Sequence, residues 1–307
     1  MKFKYRTINL NPERTARLKR INEIIEEYQG AGYVLTLRQL YYQLVSRDII
    51  PNRQNEYKKL GSLLTEARMG GIVDWNAIED RLRSAESPSS WDNPGAILDS
   101  AIESYARPRM EGQEYYIEVW VEKDALSGVL SRVTEKYHIP ICVNRGYSSA
   151  SAMHEAFKRF NRAHRDKQKI RIIYLGDFDP SGVDMIRDVE DRIMEFFNGF
   201  YSTRTNRVDF EVVPIALTQD QIRQYEPPPN PAKQTDPRFE KFADEFGTTS
   251  WEVDALPPEV LNQILTDGIL KLIDVDMYDD MVAAEIADKT KLIELKESFF
   301  NDNDDES

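Results

Sequence analysis

Ile170-Arg-Ile-Ile-Tyr-Leu-Gly-Asp177-Phe-Asp179-Pro-Ser-Gly182 carries the reading of the fold. Its apolar, β-branched start predicts a buried strand. Two aspartates one residue apart follow, and Pro-Ser-Gly then opens a helix at Val183. Open α/β sheets place ligand sites at the carboxyl ends of their strands, in the loops that lead into helices. Hard divalent cations such as Mg²⁺ take carboxylate oxygens there, with few protein ligands and several waters.

Two plainer readings compete. Asp-Pro-Ser-Gly is good turn chemistry by itself. Asp177, Asp179, Ser181, Gly182 and Asp188 also fall near the ligand positions of an EF-hand loop. That loop needs an entering helix rather than a β-branched strand, and glutamate rather than Asp188 at its last position. A metal site at a strand end fits the stretch better.

Outward from this run the pattern alternates. Strands are expected at 115–121, 139–144, 170–176 and 208–215, with helices at 125–137, 150–164 and 182–198. This rhythm predicts an α/β fold with a mostly parallel, Rossmann-like sheet and helices on its faces. Pro227-Pro-Pro-Asn-Pro231 then leads to a helical region at 257–273. Before the sheet, helices are expected at 12–29, 37–47 and 56–68. Gly70-Gly71 and a short apolar piece to Trp75 follow, then a further element over 76–83. Short helices with a Gly-Gly turn and a brief strand suggest a helix-turn-helix or winged-helix unit. Residues 84–110 read as a linker around one helix at 94–105. The closing Asn-Asp-Asn-Asp-Asp-Glu-Ser reads as a disordered acidic tail, and no internal repeat is visible.

The 307 residues are enough for about two domains. Hydrophobic residues make up 41% and charged residues 30%, as in a soluble globular protein. No apolar run reaches the roughly 18 residues of a membrane span, and Met-Lys-Phe-Lys-Tyr-Arg lacks the apolar segment of a signal peptide. A cytoplasmic protein is therefore expected. One cysteine, Cys142, excludes an intrachain disulfide and a cysteine-rich zinc site. The three histidines show no metal-ligand spacing. Net charge is −13, which at first argues against nucleic acid. Yet residues 1–70 carry +6, leaving −19 for the rest. A basic N-terminal module on an acidic body suits DNA binding by the module. Arg53, Lys58, Lys59 and Arg68 of that module, with Lys123 beyond it, are the candidate DNA contacts.

Tyr-Tyr-Ile-Glu-Val-Trp-Val121 ends in Glu122-Lys123. With strand ends along one edge, Glu122 converges with Asp177 and Asp179, and three clustered carboxylates favour a cation. Alone, Glu122 reads equally well as a carboxylate at a helix N-terminus. In Leu37-Arg38-Gln39-Leu40-Tyr41-Tyr42-Gln43-Leu44, residues Leu37, Leu40, Tyr41 and Leu44 form one helical stripe. Tyr42 lies about 100° from it, one turn after Arg38. Spacing alone favours an aromatic half covering a neighbouring helix. The other reading is a nucleophile, whose phenol needs a cation such as Arg38 to favour the phenolate.

Taken together, Glu122-Lys123 and Gly176-Asp-Phe-Asp-Pro-Ser-Gly182 resemble a Toprim domain, the Mg²⁺-binding module of topoisomerases, primases and some nucleases. Arg38-Gln-Leu-Tyr-Tyr42 ahead of it resembles the topoisomerase VI A subunit and the related meiotic double-strand-break transesterase. Trp251-Glu-Val-Asp-Ala-Leu256 is similar to a segment near the end of that family's Toprim region. The likeness spans residues 30–275, and the chain looks most like the short stand-alone, mini-A forms. It implies that Tyr42 attacks a DNA phosphodiester to give a 5′-phosphotyrosine link, with Arg38 as phosphate or tyrosine partner. It implies Glu122, Asp177 and Asp179 as the Mg²⁺ set, and a homodimer in which each tyrosine faces the partner's metal site. The expected map is a winged-helix (CAP-like) domain at 1–86, a linker at 87–112, a Toprim domain at 113–275 and an acidic segment at 276–307.

The chain departs from the family in two places. No N-terminal extension for an ATPase B subunit is evident, leaving such a partner open. Arg145-Gly-Tyr-Ser-Ser149 lacks the proline expected after the glycine. Double-stranded DNA is the expected partner and the nucleoid the expected place. The alternatives are a Toprim endonuclease of a phage or defence system, with water as nucleophile, and a non-catalytic or partner-dependent DNA-binding protein.

Overall fold

The computed structural model describes residues 2–79, 88–144, 149–201 and 208–304. Expectations for residues 80–86, for most of the loop at 145–149 and for the last three residues lie outside this set.

Four parallel strands form the central sheet: β3 (Tyr115–Val121), β4 (Ile141–Val143), β5 (Lys169–Leu175) and β6 (Phe210–Ala216), in the order β4-β3-β5-β6. All four lie within about two residues of the sequence expectation. The residues of the two inner strands, β3 and β5, are mostly buried, as strands covered on both faces must be. On one face α5 (Asp124–Tyr137) and α10 (Pro258–Leu270) pack on Val119, Val121, Ile173 and Leu175. On the other, α6 (Ala150–Arg165) and α7 (Pro180–Phe200) cover Trp120, Ile170, Ile172 and Tyr174.

This arrangement is an α/β, Rossmann-like fold, and it has a switch point. From β3 the chain crosses outward over one face to β4, whereas from β5 it crosses the other face to β6. The loops after β3 and β5 therefore diverge, leaving a crevice between adjacent strand ends. Glu122 N donates to Leu175 O at 3.1 Å, so the two ends are level.

The N-terminal unit has α1 (Pro12–Gly30), α2 (Leu37–Ser46) and α3 (Gln54–Met69) around Leu18, Ile21, Leu40, Leu44, Leu60 and Leu64. Thr36 and Gln39 form a reciprocal capping box that starts α2. The element expected over 76–83 begins as a 3₁₀ turn at Trp75–Ala77. Strand β2 (Ile78–Glu79) follows, paired in parallel with β1 (Leu35–Thr36). Helix α4 (Pro94–Ser104) buries none of its side chains. It packs on α11 (Val275–Asp304), a separate 30-residue helix after the helical region expected at 257–273; it takes in residues 301–304 of the tail expected to be disordered. Arg109 forks onto Glu285 at 2.7 and 3.0 Å, tying α11 to the segment that leads into β3. Among the described residues no helix is long and apolar enough to cross a membrane.

Candidate metal centre and the adjoining tyrosine

The crevice is built by three separate pieces of chain. After β5, Asp179 caps α7 by accepting from Gly182 N at 2.7 Å. A Cβ on Gly182 would lie 2.2 Å from the Asp177 carbonyl oxygen, so this turn closes only around glycine. Phe178 then pairs with Trp251 in an antiparallel bridge, N to O at 2.8 and 3.0 Å, and packs on Phe242 and Phe246. That bridge lays the 3₁₀ turn Val253–Ala255 against the end of β5. Val253 N donates to Asp177 Oδ1 at 2.9 Å.

Asp177, Glu252 and Asp254 are thereby gathered with one oxygen of each within 4.8 Å of the others, a group able to hold a metal ion. Asp254 is fully buried. Lys123 Nζ sits among the three, 2.7 Å from Asp177 Oδ1, 2.8 Å from Glu252 Oε2 and 2.7 Å from Asp254 Oδ1. Arg38 enters from α2, ion-paired to Glu252 and 2.8 Å from Asp254 Oδ2 through Nε.

Of the three carboxylates expected as a metal set, Asp177 stands in this cluster. Glu122 borders it, its Oε2 accepting from Asp177 N at 3.1 Å. Burial, then the nearby Asp177 charge, pushes the Glu122 carboxyl up to about 7. Burial likewise raises Asp177, opposed by Lys123. Asp179 spends one oxygen on its helix cap. Glu252 and Asp254 lie outside the expected metal set, and a bridge between residues 73 apart in sequence brings them to the cluster.

Charge and donor type suit a hard cation. Three carboxylates face two side-chain cations, with Glu122 and Asp179 beside them, and every anionic donor is oxygen. A metal ion held here would compete with the Lys123 ammonium for these oxygens.

Tyr42 lies against this cluster in the same chain. It is 4% exposed, and the Arg38 guanidinium carbon is 5.8 Å from its ring centroid. Burial, then the Asp254 charge, holds its phenol far above the ordinary tyrosine range, while Arg38 and a hydrogen bond with Asn230 pull the other way. Tyr41 stacks edge-on against both Tyr42 and Tyr57.

The expected DNA contacts are divided. Arg53 precedes α3, and Lys58 and Lys59 lie exposed on it, Lys59 paired with Glu56 at 2.6 Å. Arg68 instead donates to Ile78 O at 2.9 Å and lies over the Trp75 ring, tying α3 to β2. Lys123 belongs to the carboxylate cluster.

The fold and site define an α/β protein with an acidic cluster, identity of any metal open, at the switch point of a parallel sheet. No protein-family model matches the chain, and no curated protein matches it.

Proposed function

We propose that this protein is a Mg²⁺-dependent, DNA-binding transesterase of the topoisomerase VI A type. It cleaves duplex DNA as a homodimer and leaves a 5′-phosphotyrosine link. In this reading the N-terminal unit is the winged-helix domain and the central sheet is a Toprim domain. The observation that carries it is the juxtaposition of Tyr42 and Arg38 with an oxygen-rich carboxylate cluster at the sheet's switch point.

The chemistry balances without ATP. The Tyr42 phenol oxygen attacks phosphorus, the bond to the 3′ oxygen breaks, and the departing 3′-hydroxyl takes up a proton. Reversal reseals the strand. Arg38 is placed to offset negative charge beside the phenol. Asp177, Glu252 and Asp254 would hold a divalent ion, which would supply Lewis-acid stabilisation of charge on the phosphate and the departing oxygen. The exposed cations of α3 supply sequence-independent phosphate affinity, which falls steeply with salt. Because Tyr42 is buried, a phosphate reaches it only after its surroundings move, and the 253–255 turn, which packs on α2, is the element placed to do so. An ATPase-like second subunit is one source of that movement.

That burial also favours a second reading, a Toprim endonuclease whose nucleophile is water. A covalent-adduct trap separates the two. Protein is incubated with supercoiled plasmid and Mg²⁺ or Ca²⁺, stopped with detergent and run with and without protease. Linear DNA released only by protease, and absent with Tyr42→Phe, supports the transesterase. Free-ended breaks that persist in Tyr42→Phe overturn it in favour of the nuclease. DNA binding without breaks indicates a binding protein or one that needs a partner.

A further inference from the structure

Residues 2–7 are seated on the end of α3 by their backbone. Lys4 pairs with Gly70 in an antiparallel bridge, and the amides of Tyr5 and Arg6 both donate to the Met69 carbonyl, at 2.9 and 3.1 Å. Gly71 makes the seat possible. Its φ is +72°, and a Cβ there would lie 3.0 Å from Lys4 N and 3.1 Å from the Phe3 carbonyl carbon. Yet every side chain from Lys2 to Thr7 is exposed. A segment fixed in this way buries little apolar surface of its own, and what it does is hold side chains out to solvent.

Those side chains are aromatic rings interleaved with cations. Phe3 and Tyr5, two residues apart, are 54% and 61% exposed, with ring centroids 4.8 Å from each other. Tyr5 meets the Trp75 ring edge-on at 6.0 Å, and the Arg68 guanidinium carbon lies 5.7 Å from the centroid of that indole. Trp75 itself is 37% exposed. The rings pack by edges and tilts, so outer faces stay open to solvent.

The charge around them has one sign. Lys2, Lys4 and Arg6 alternate with the rings, and residues 1–12 contain no aspartate or glutamate. Of the carboxylates on the flanking turns, Glu66 is paired with Arg14 at 2.5 Å, and Asp74 caps the 3₁₀ turn by accepting from Asn76 N at 2.8 Å. An apolar protein surface would gain nothing from three cations set among the rings. A polyanion with flat apolar faces uses both.

We propose that Phe3, Tyr5 and Trp75 form a stacking platform for unpaired bases, a single-stranded DNA site whose phosphates lie on Lys2, Lys4 and Arg6. Stacking needs a base freed from its neighbours, so the rings select single strands, whereas the cations attract any nucleic acid. Every base has a π-face, so the site reads little sequence. It is separate from the tyrosine and the carboxylates. Arg53 O, just before α3, accepts from the Tyr41 hydroxyl at 3.3 Å, and the 16 residues of α3 then span about 24 Å before the seat is reached. The choice of DNA rests on the DNA-binding reading; the platform itself depends on neither Tyr42 nor a metal.

The test titrates full-length protein, without metal, against a fluorescent oligothymidylate of about 16 nucleotides and a duplex of equal length, read by anisotropy. Phe3→Ala/Tyr5→Ala removes two exposed rings and is expected to keep the parent's circular dichroism. It should weaken oligothymidylate binding about tenfold to a hundredfold while duplex binding changes by about twofold at most. Lys2→Gln/Lys4→Gln/Arg6→Gln should weaken both and make the logarithmic salt slope for oligothymidylate shallower by about two. Parental affinity for oligothymidylate in the ring variant, or equal losses on oligothymidylate and duplex, overturns the platform in favour of a merely electrostatic surface. A parent that fails to bind oligothymidylate overturns it as well. Tighter binding of oligouridylate than of oligothymidylate overturns the assignment to DNA. Failure of the covalent-adduct trap defeats the transesterase reading alone, since this titration uses neither Tyr42 nor metal.

Discussion

Arg38, on the second helix of the N-terminal unit, places its Nε 2.8 Å from Oδ2 of the fully buried Asp254, on the turn beside the sheet edge. This pair joins the two halves of the molecule at the carboxylate cluster itself. The tyrosine one turn along from Arg38 therefore shares its electrostatic surroundings with the candidate metal centre.

Removing the guanidinium leaves Asp254 with Lys123 as its remaining cation. Arg38→Ala is expected to destabilise the protein by about 1–3 kcal/mol, because a buried carboxylate loses part of its compensation. Chemical denaturation of parent and variant checks this. A variant as stable as the parent would show that the pair is electrostatically idle.

Binding of a divalent ion to the folded state alone raises stability by mass action, about 2.7 kcal/mol at a hundredfold excess over Kd. Mg²⁺ is therefore expected to raise the Tm of the parent in a concentration-dependent way. Asp254→Asn, compared with its own metal-free Tm, should lose most of that rise, since it removes one of the three clustered carboxylates. Equal rises in parent and variant would place the ion elsewhere.

Glu285 anchors the long C-terminal helix by its fork with Arg109 and by accepting from Arg107 N at 3.0 Å. The Arg109 hydrogen bonds hold its carboxyl down to about 2, from an ordinary 4.5. A depressed carboxylate stabilises the fold fully above pH 4.5 and loses that contribution as pH falls toward 2. Glu285→Gln should thus cost about 1–3 kcal/mol at neutral pH, with the gap closing on acidification through that window. Denaturation midpoints across the acid range read this out.

Gly182 admits no side chain where the chain turns from β5 into α7. Gly182→Ala should destabilise by about 1–3 kcal/mol, since a backbone oxygen rather than a flexible side chain is in the way. Its Mg²⁺ response should weaken as well, because the same turn sets Asp177. A stable variant with parental Mg²⁺ response would mean that the turn relaxes freely.

The four sheet strands were legible because buried parallel strands read as short apolar runs between helical periods, as Ile170–Leu175 does. The start of α2 was legible because Thr36 caps it, whereas Asp179, read as a metal ligand, turns out to be the cap of α7. The element expected over 76–83 instead opens with a 3₁₀ turn and the strand Ile78–Glu79, because Ile78 finds a parallel partner in Leu35, a pairing no local pattern announces. Helix α11 was missed because its polar surface reads as tail, while its anchor, Glu285 to Arg109, is made 176 residues away.

By itself the sequence determined the parallel sheet and set Glu122 and Asp177 at neighbouring strand ends, since periodicity and turn chemistry are local properties. Tertiary structure alone decided the cluster. The Phe178–Trp251 bridge carries Glu252 and Asp254 to Asp177, and docking of α2 brings in Arg38 and buries Tyr42. Contacts between segments so distant in the chain depend on how whole faces pack, and packing leaves no periodic trace at the residues it brings together.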